Sequence, residues 1–205
     1  MSLKGKKILI TAGPTWVPID SVRVISNIAS GQTGILLARE VAARAGKVTL
    51  ILGPCGEYNL NSSIRIIRFR FFNELKDTLR RELKKVKYDI VIHSAAVSDF
   101  KTKQIKGKIV SSKYFDLRLK PLPKIIHDIR RMAPNAKLIM FKLESDISDR
   151  VLIKRAIEAR IKAGADFVVA NRLNPYCAFI INKVDSKITI RSKQELAKKL
   201  IKVLL

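Results

Sequence analysis

A chain of 205 residues, 47% hydrophobic and 28% charged, can bury a sizeable core and is too apolar for disorder. Its 41 Lys+Arg against 17 Asp+Glu leave a net charge of +24, which raises affinity for polyanions or phosphorylated substrates. The basic residues are scattered without interleaved aromatics and match no RRM, KH or zinc-finger pattern, so a dedicated nucleic-acid binder is not expected.

Taken in chain order, "KKILITAGP" predicts a first strand closed by Gly13-Pro14. The stretch "TGILLAREVAARAG" has apolar residues at helical spacing, with a Thr before the run and Gly46 at its end. "KVTLILGP" and "SIRIIRF" read as the next strands, and "NELKDTLRRELKKV" as an exposed helix with Asn73 as N-cap. "YDIVIHSAAVSDF" is a strand running into small residues, followed by the helical "KIIHDIRRMA" and the strand "LIMFKL". A helix over "DRVLIKRAIEARIKAGA", a strand at "DFVVAN", a hairpin from "AFIINKV" and "KITIR", and a closing helix at "SKQELAKKLIKVLL" complete the pattern.

Near-continuous apolar strands alternating with helices predict a single α/β domain over residues 1–205. The expected architecture is a Rossmann-like, doubly wound, mostly parallel sheet with helices on both faces and a small C-terminal β-hairpin. Ligands on such sheets bind beyond the C-terminal ends of the strands, where strand order reverses. That rule gathers three loops, running over Gly13 to Gly34, over Ser94 to Lys113, and onward from Asn171. The stretch from Lys101 to Lys113 is the least regular and is expected to be a mobile surface loop.

No apolar run approaches the roughly 20 residues of a membrane helix. The opening "MSLKGKKILI" lacks a leader's long apolar region, so a cytoplasmic chain is expected. Cys55 and Cys177 belong to no CxxC or Cys/His cluster, and free thiols are expected rather than a disulfide or zinc.

Three stretches carry candidate chemistry. In "TAGPTWVPIDSVRVISNIASGQTG" the glycines let backbone approach a ligand, and the following helix start offers free N–H groups to a phosphate. The alternative there is a structural turn with a helix cap. In "HSAAVSDF", Ala95 and Ala96 leave room at a strand end, with Asp99 beyond them to hold a metal or a hydroxyl; simple packing and a turn are the alternative. "KTKQIKGKIVSSK" has five lysines in thirteen residues, either a solvated charge run or a loop that closes over phosphate. Phe141 can stack on a planar ring or belong to the core, Lys162 reads as an exposed helix residue, and Asn171 as a turn residue. Neither a Ser-His-Asp nor a Cys-His arrangement is legible, so an enzyme built on these residues would work by positioning and electrostatics.

Taken together and in order, "TAGPTWVPIDSVRVISNIASGQTG", "SAAVSDF", "GKIVSSK", "LRLKPLPKII", "FKLESD" and "KAGADFVVAN" resemble the phosphopantothenate–cysteine ligase family of coenzyme A biosynthesis, over nearly the whole chain. The resemblance implies a two-step ligation. The carboxylate of 4′-phosphopantothenate attacks the α-phosphate of CTP or ATP and expels pyrophosphate; the amine of cysteine then displaces the nucleoside monophosphate. It also implies Asn27 and Lys108 as catalytic residues, with Arg23 joining them in binding substrate. Gly13, Thr15, Ser30, Gly31, Ala95, Ala96, Asp99, Phe141, Lys162 and Asn171 are implied on the nucleotide side, with Asp99 the candidate Mg²⁺ ligand. The implied state is a homodimer without flavin, since the decarboxylase module often fused ahead of this one is not in the chain. Trp16 and Val17 stand where the family has a basic residue and Glu, and Lys124 where many bacterial members have Asp. The competing expectations are a nicotinamide-dependent reductase, which lacks support from G-x-G-x-x-G or Tyr-x-x-x-Lys, and a non-catalytic polyanion binder.

Overall fold

The computed structural model describes residues 2–111 and 114–205, so Ser112 and Lys113, which close the lysine-rich stretch, lie outside the described residues. The first strand, β1 (Lys7–Ala12), sits at the centre of the main sheet. A short antiparallel hairpin follows, β2 (Trp16–Pro18) with β3 (Val24–Ser26), before helix α1 (Gln32–Ala42). Then come β4 (Lys47–Leu52), β5 (Ile64–Arg68), α2 (Phe72–Lys85) and β6 (Ile90–His93). A two-residue ribbon, β7 (Phe100–Lys101) with β8 (Lys120–Pro121), leads to α3 (Ile125–Met132). The chain closes with β9 (Lys137–Leu143), α4 (Asp149–Ala163), β10 (Phe167–Leu173), β11 (Tyr176–Ile181), β12 (Lys187–Ile190) and α5 (Lys193–Leu204).

Among the described residues eight strands form one sheet in the order β12-β11-β10-β9-β6-β1-β4-β5. Strands β5 through β10 in that row are parallel, while β11 and β12 add antiparallel on one edge. The expected hairpin therefore does not stand apart but extends the main sheet. The period-two alternation of β1 explains the two layers. Ile8, Ile10 and Ala12 face α1 and α5 with Leu37, Val41, Leu200 and Ile201, whereas Leu9 faces α2, α3 and α4 with Leu75, Leu79, Ile129 and Leu152. All of these are almost wholly removed from water, each large side chain contributing about 1.5–3 kcal/mol from burial.

Two helix starts differ from expectation. Helix α1 begins after Gly31, which takes φ 73° and ψ −5° and has no side chain to cap it, while the preceding Ser30 hydroxyl accepts the Gln32 N–H at 3.4 Å. A glycine tolerates that left-handed conformation without a Cβ penalty. Helix α2 begins after Phe71, not at Asn73, because the Glu74 carboxylate reaches back to accept the Arg70 and Phe71 N–H groups at 2.7 and 3.4 Å. The acid three residues into the helix does the work usually left to a Ser or Asn before it.

Strand order reverses at β1, which has β4 on one side and β6 on the other. The loops leaving β1 and β6 meet at that point.

Candidate functional site

The β1 and β6 loops are joined by backbone. Ala96 N–H donates to Gly13 at 2.9 Å and Thr15 N–H donates back to Ala96 at 3.2 Å. Thr15 is fully buried, and its hydroxyl accepts the Ser98 N–H at 2.8 Å, so it is a strut between the loops rather than a group free for a ligand. Beneath them Thr11 and the His93 Nδ1 lie 2.8 Å apart, and enclosure of the imidazole lowers its pKa to about 4. His93 is therefore neutral at physiological pH.

Small residues bring the helix down onto this junction. A Cβ on Gly34 would stand 2.4 Å from the Ala12 Cβ and 2.9 Å from the Ser94 Oγ, which only glycine avoids. Gly31 approaches Gly13 and Cys55. The unpaired N–H groups of α1, 11 residues long, open beside Ser30 and Gly31, and the Tyr58 hydroxyl holds the Ser30 carbonyl at 2.9 Å. Asn27 reaches from the end of the hairpin and donates its side-chain amide to the Ala96 carbonyl at 3.1 Å.

Asp20 organises the loop that carries Lys108. Its buried carboxylate accepts the Ile109 N–H at 3.0 Å and the Val22 and Arg23 N–H groups at 2.8 Å each, and meets the Arg23 guanidinium at 2.6 Å. The Ile109 and Val22 amides lead in holding its pKa down at about 2. Further ties run from Ser21 N–H to Gly107, from Ile105 N–H to Ile19, and from Arg23 to the Ile109 carbonyl. Residues 104–109 are thus pinned to the first loop, contrary to the expectation of a freely mobile segment, while the Lys108 side chain is exposed. Arg23 is committed to Asp20 and Ile109. Asp20 was not singled out in sequence, although an Asp followed by Ser21 and two further amides is the signature of an Asx turn.

Asp99 is held by a neighbouring cation. Its carboxylate is paired with the Lys124 ammonium at 2.5 Å, the ribbon of β7 and β8 bringing the two together. Among the described residues no group of three or more His, Cys, Asp or Glu is arranged for a metal. The residues present do not fit a protein-built metal cage.

The remaining candidates disperse. Ala95 and Ala96 do lie at the junction. Phe141 is half-buried on β9 against the α1 and α5 layer of the core. Asn171 lies within β10 rather than in a turn, opposite Leu143 and Ala178, and its carbonyl accepts the Glu144 N–H at 3.0 Å. Lys162 does not join them. It sits in the last turn of α4, just ahead of the start of β10, and so at the opposite end of the parallel strands from the junction.

A second opening flanks Asn27 on its other side. This cleft, with a volume of about 640 Å³, lies between the hairpin and the ends of β4 and β5, lined by Trp16, Asn27, Cys55, Arg68 and Arg70 among others. Burial raises the Cys55 thiol, and Arg68 opposes that shift. Arg68 falls within the predicted strand "SIRIIRF" and Arg70 just beyond it, and neither is singled out in sequence, since charge in sequence does not reveal which cleft it borders.

A doubly wound sheet with a phosphate-suited helix start at its switch point defines a Rossmann-like α/β protein. Residues 3–205 match the family described as DNA/pantothenate metabolism flavoprotein C-terminal domain, and the chain belongs to that family. A coenzyme A biosynthesis bifunctional protein CoaBC from Thermococcus kodakarensis is 36% identical over 206 residues, covering 97% of this chain and 51% of the relative. The chain thus spans about half the length of the curated relatives it matches. Among solved structures, a DNA/pantothenate metabolism flavoprotein from Streptococcus pneumoniae aligns with TM-score 0.88 and 28% identity over 98% of both chains. The C-terminal domain of a CoaBC protein aligns at TM-score 0.81 with 25% identity over 98% of this chain and 95% of the other.

Proposed function

We propose that this chain ligates 4′-phosphopantothenate and cysteine through an acyl-nucleotide formed from CTP or ATP. The observation that supports the reading is that Asn27 and the α1 N-terminus at Ser30–Gly31 meet at one β1/β6 junction in a member of this family, and we assign the Lys108 loop, tied to Asp20, to the same site from the resemblance.

The chemistry follows from what a carboxylate lacks. An amine cannot displace a carboxylate oxygen until that oxygen is made a leaving group. In the first step a carboxylate oxygen forms a bond to the α-phosphorus and the bond to the β-phosphate oxygen breaks, its electron pair leaving with pyrophosphate. In the second, the cysteine nitrogen bonds to the acyl carbon, loses a proton, and the nucleoside monophosphate departs. Free N–H groups at the α1 start suit phosphate oxygens. The Asn27 amide, positioned by Ala96, offers a neutral donor to the acyl phosphate. Lys108 supplies a positive charge where negative charge accumulates. Mg²⁺, expected from the resemblance, would arrive with the nucleotide's phosphates rather than in a protein cage, and no step here is routed through it.

We extend the proposal to a homodimer. The hairpin and the residues just after it expose Val24, Ile25 and Ile28, the last at 99%, a surface suited to a second copy. Sedimentation of the chain at micromolar concentration tests this point, a monomer overturning it.

The deciding assay is pyrophosphate release with 4′-phosphopantothenate, Mg²⁺ and either CTP or ATP, with and without cysteine. Release, followed by phosphopantothenoylcysteine on adding cysteine, is expected. Absence of release with both nucleotides would overturn the reading.

A further inference from the structure

The cleft beside Asn27 has a chemical character that the ligation steps above leave unused. It opens where β1, β4 and β5 end, and two guanidinium groups, Arg68 and Arg70, stand on its wall. No Asp or Glu is among its lining residues. Arg68 makes no ion pair among the described residues, and Arg70 has only Glu74 at 4.0 Å, the outer limit of such a contact. The Phe71 ring, 5.4 Å from the Arg70 guanidinium carbon, steadies that side chain from below. Two cations on one wall, with only the Glu74 carboxylate at the limit of an ion pair beside them, repel each other, and a multiply charged anion relieves that repulsion.

The cleft is also continuous with the helix start. A Cβ on Gly31 would lie 3.6 Å from the Cys55 Cβ, so the turn carrying Cys55 borders the α1 N-terminus on one side and the arginines on the other. The backbone that shapes this floor is fixed by Gly53 N–H donating to Ala12 at 2.9 Å, Trp16 N–H donating to Arg70 at 2.7 Å and Phe69 N–H donating to Leu52 at 3.2 Å. The turn carrying Cys55 is thus a common border of the α1 start and the cleft that holds Arg68 and Arg70.

We propose that Arg68 and Arg70 form the subsite for the two phosphates that leave as pyrophosphate. The inference rests on the ligase reading and goes beyond it by naming what neutralises the leaving group. As the bond between the α-phosphorus and the bridging oxygen breaks, the electron pair stays on that oxygen and the departing pyrophosphate gains negative charge. Cations at the cleft stabilise that charge in the transition state and also retain the product. The same pair would recognise a free pyrophosphate and the tail of a nucleoside triphosphate alike.

The test uses inorganic pyrophosphate as probe, by calorimetry and as a product inhibitor, on wild type, Arg68→Ala/Arg70→Ala and Arg68→Lys/Arg70→Lys. Both arginines are exposed, so the fold tolerates the changes, and circular dichroism verifies this. Pyrophosphate binding is expected to weaken about tenfold or more in the Ala variant, with partial return in the Lys variant and unchanged affinity for the nucleoside monophosphate. The inhibition constant for pyrophosphate should rise in parallel, and the KM for the triphosphate with it. Equal pyrophosphate affinity in wild type and the Ala variant overturns the proposal, as does a loss confined to the monophosphate, which would make the cleft a base or ribose site. Arginine-dependent pyrophosphate binding in a chain with no ligase activity would keep the anion site and overturn its assignment to the leaving group.

Discussion

The Asp20 carboxylate accepts the backbone N–H of Ile109 at 3.0 Å, across 89 positions of sequence. One buried acid thereby fixes the backbone beside the exposed Lys108 against the turn between β2 and β3. Because the folded pKa of about 2 lies below the ordinary 3.8, the unfolded chain takes up the proton first as the pH falls. The contribution of Asp20 to the fold is complete above pH 3.8 and is lost as the pH drops toward 2. Replacing Asp20 with Asn turns one acceptor oxygen into a donor amid N–H groups. Faster hydrogen exchange at the Ile109 amide is expected, with turnover reduced about ten- to a hundredfold through misplacement of Lys108. Unchanged exchange at Ile109 would show that the loop does not depend on this carboxylate.

Lys108→Gln separates position from charge. The loop keeps its ties to Asp20, so melting temperature and Ile109 exchange should match wild type while turnover falls. Equal turnover at saturating substrate would return the lysine to the solvated surface.

Asn27 donates to Ala96 and also lines the cleft beside it. Asn27→Asp replaces that donor with a negative charge facing both the carbonyl and the incoming phosphate. Loss of acyl-nucleotide formation on the order of a hundredfold or more is expected, measured as pyrophosphate release without cysteine. Wild-type release in that variant would remove Asn27 from the chemistry.

How much of this was legible in sequence follows from the length and regularity of each feature. The central strands of the main sheet are apolar on both faces, so runs such as "KKILITAGP" and "KVTLILGP" announce themselves, and their alternation with helices is enough for the sheet. The pairs β2–β3 and β7–β8 are two or three residues long and show no alternation; only the hydrogen bonds of neighbouring loops define them. Asn73 looked like a cap because it is polar, but Glu74 caps from inside the helix. Lys162 was grouped with the site by motif order alone, and motif order says nothing about which end of the strands a helix end reaches. Asp20 meets Ile109, and Arg68 shares a cleft with Asn27, across wide separations in sequence that no local pattern records.

Gly34 tests whether the close approach of α1 to β1 is required. A methyl at this position collides with Ala12, on a strand with no room to move at the centre of the sheet. Gly34→Ala favours the helix intrinsically, by up to about 1 kcal/mol, yet overpacking costs about 1–3 kcal/mol. A lower melting temperature is therefore expected, together with weaker nucleotide binding, because the helix start moves off the junction. A stabilised variant would mean that α1 can shift at little cost.

The pairing of Asp99 with Lys124 gives the last prediction. Both side chains are more than half exposed, at 56% and 60%, so the ion pair contributes at most about 1 kcal/mol to the fold and Lys124→Met should melt close to wild type. Its effect belongs to ligand binding instead. With the ammonium removed, the Asp99 carboxylate stands unneutralised at the mouth of a site proposed to take a triphosphate, and like charges repel. The KM for nucleotide should rise several-fold at low Mg²⁺ and recover as Mg²⁺ is raised, since the cation then offsets the charge that Lys124 had balanced. Asp99→Asn removes the same repulsion from the other side, so in the double variant with Lys124→Met the Mg²⁺ dependence should return toward that of wild type. A nucleotide KM in Lys124→Met that is indifferent to Mg²⁺ would show that the pair lies outside the reach of the phosphates.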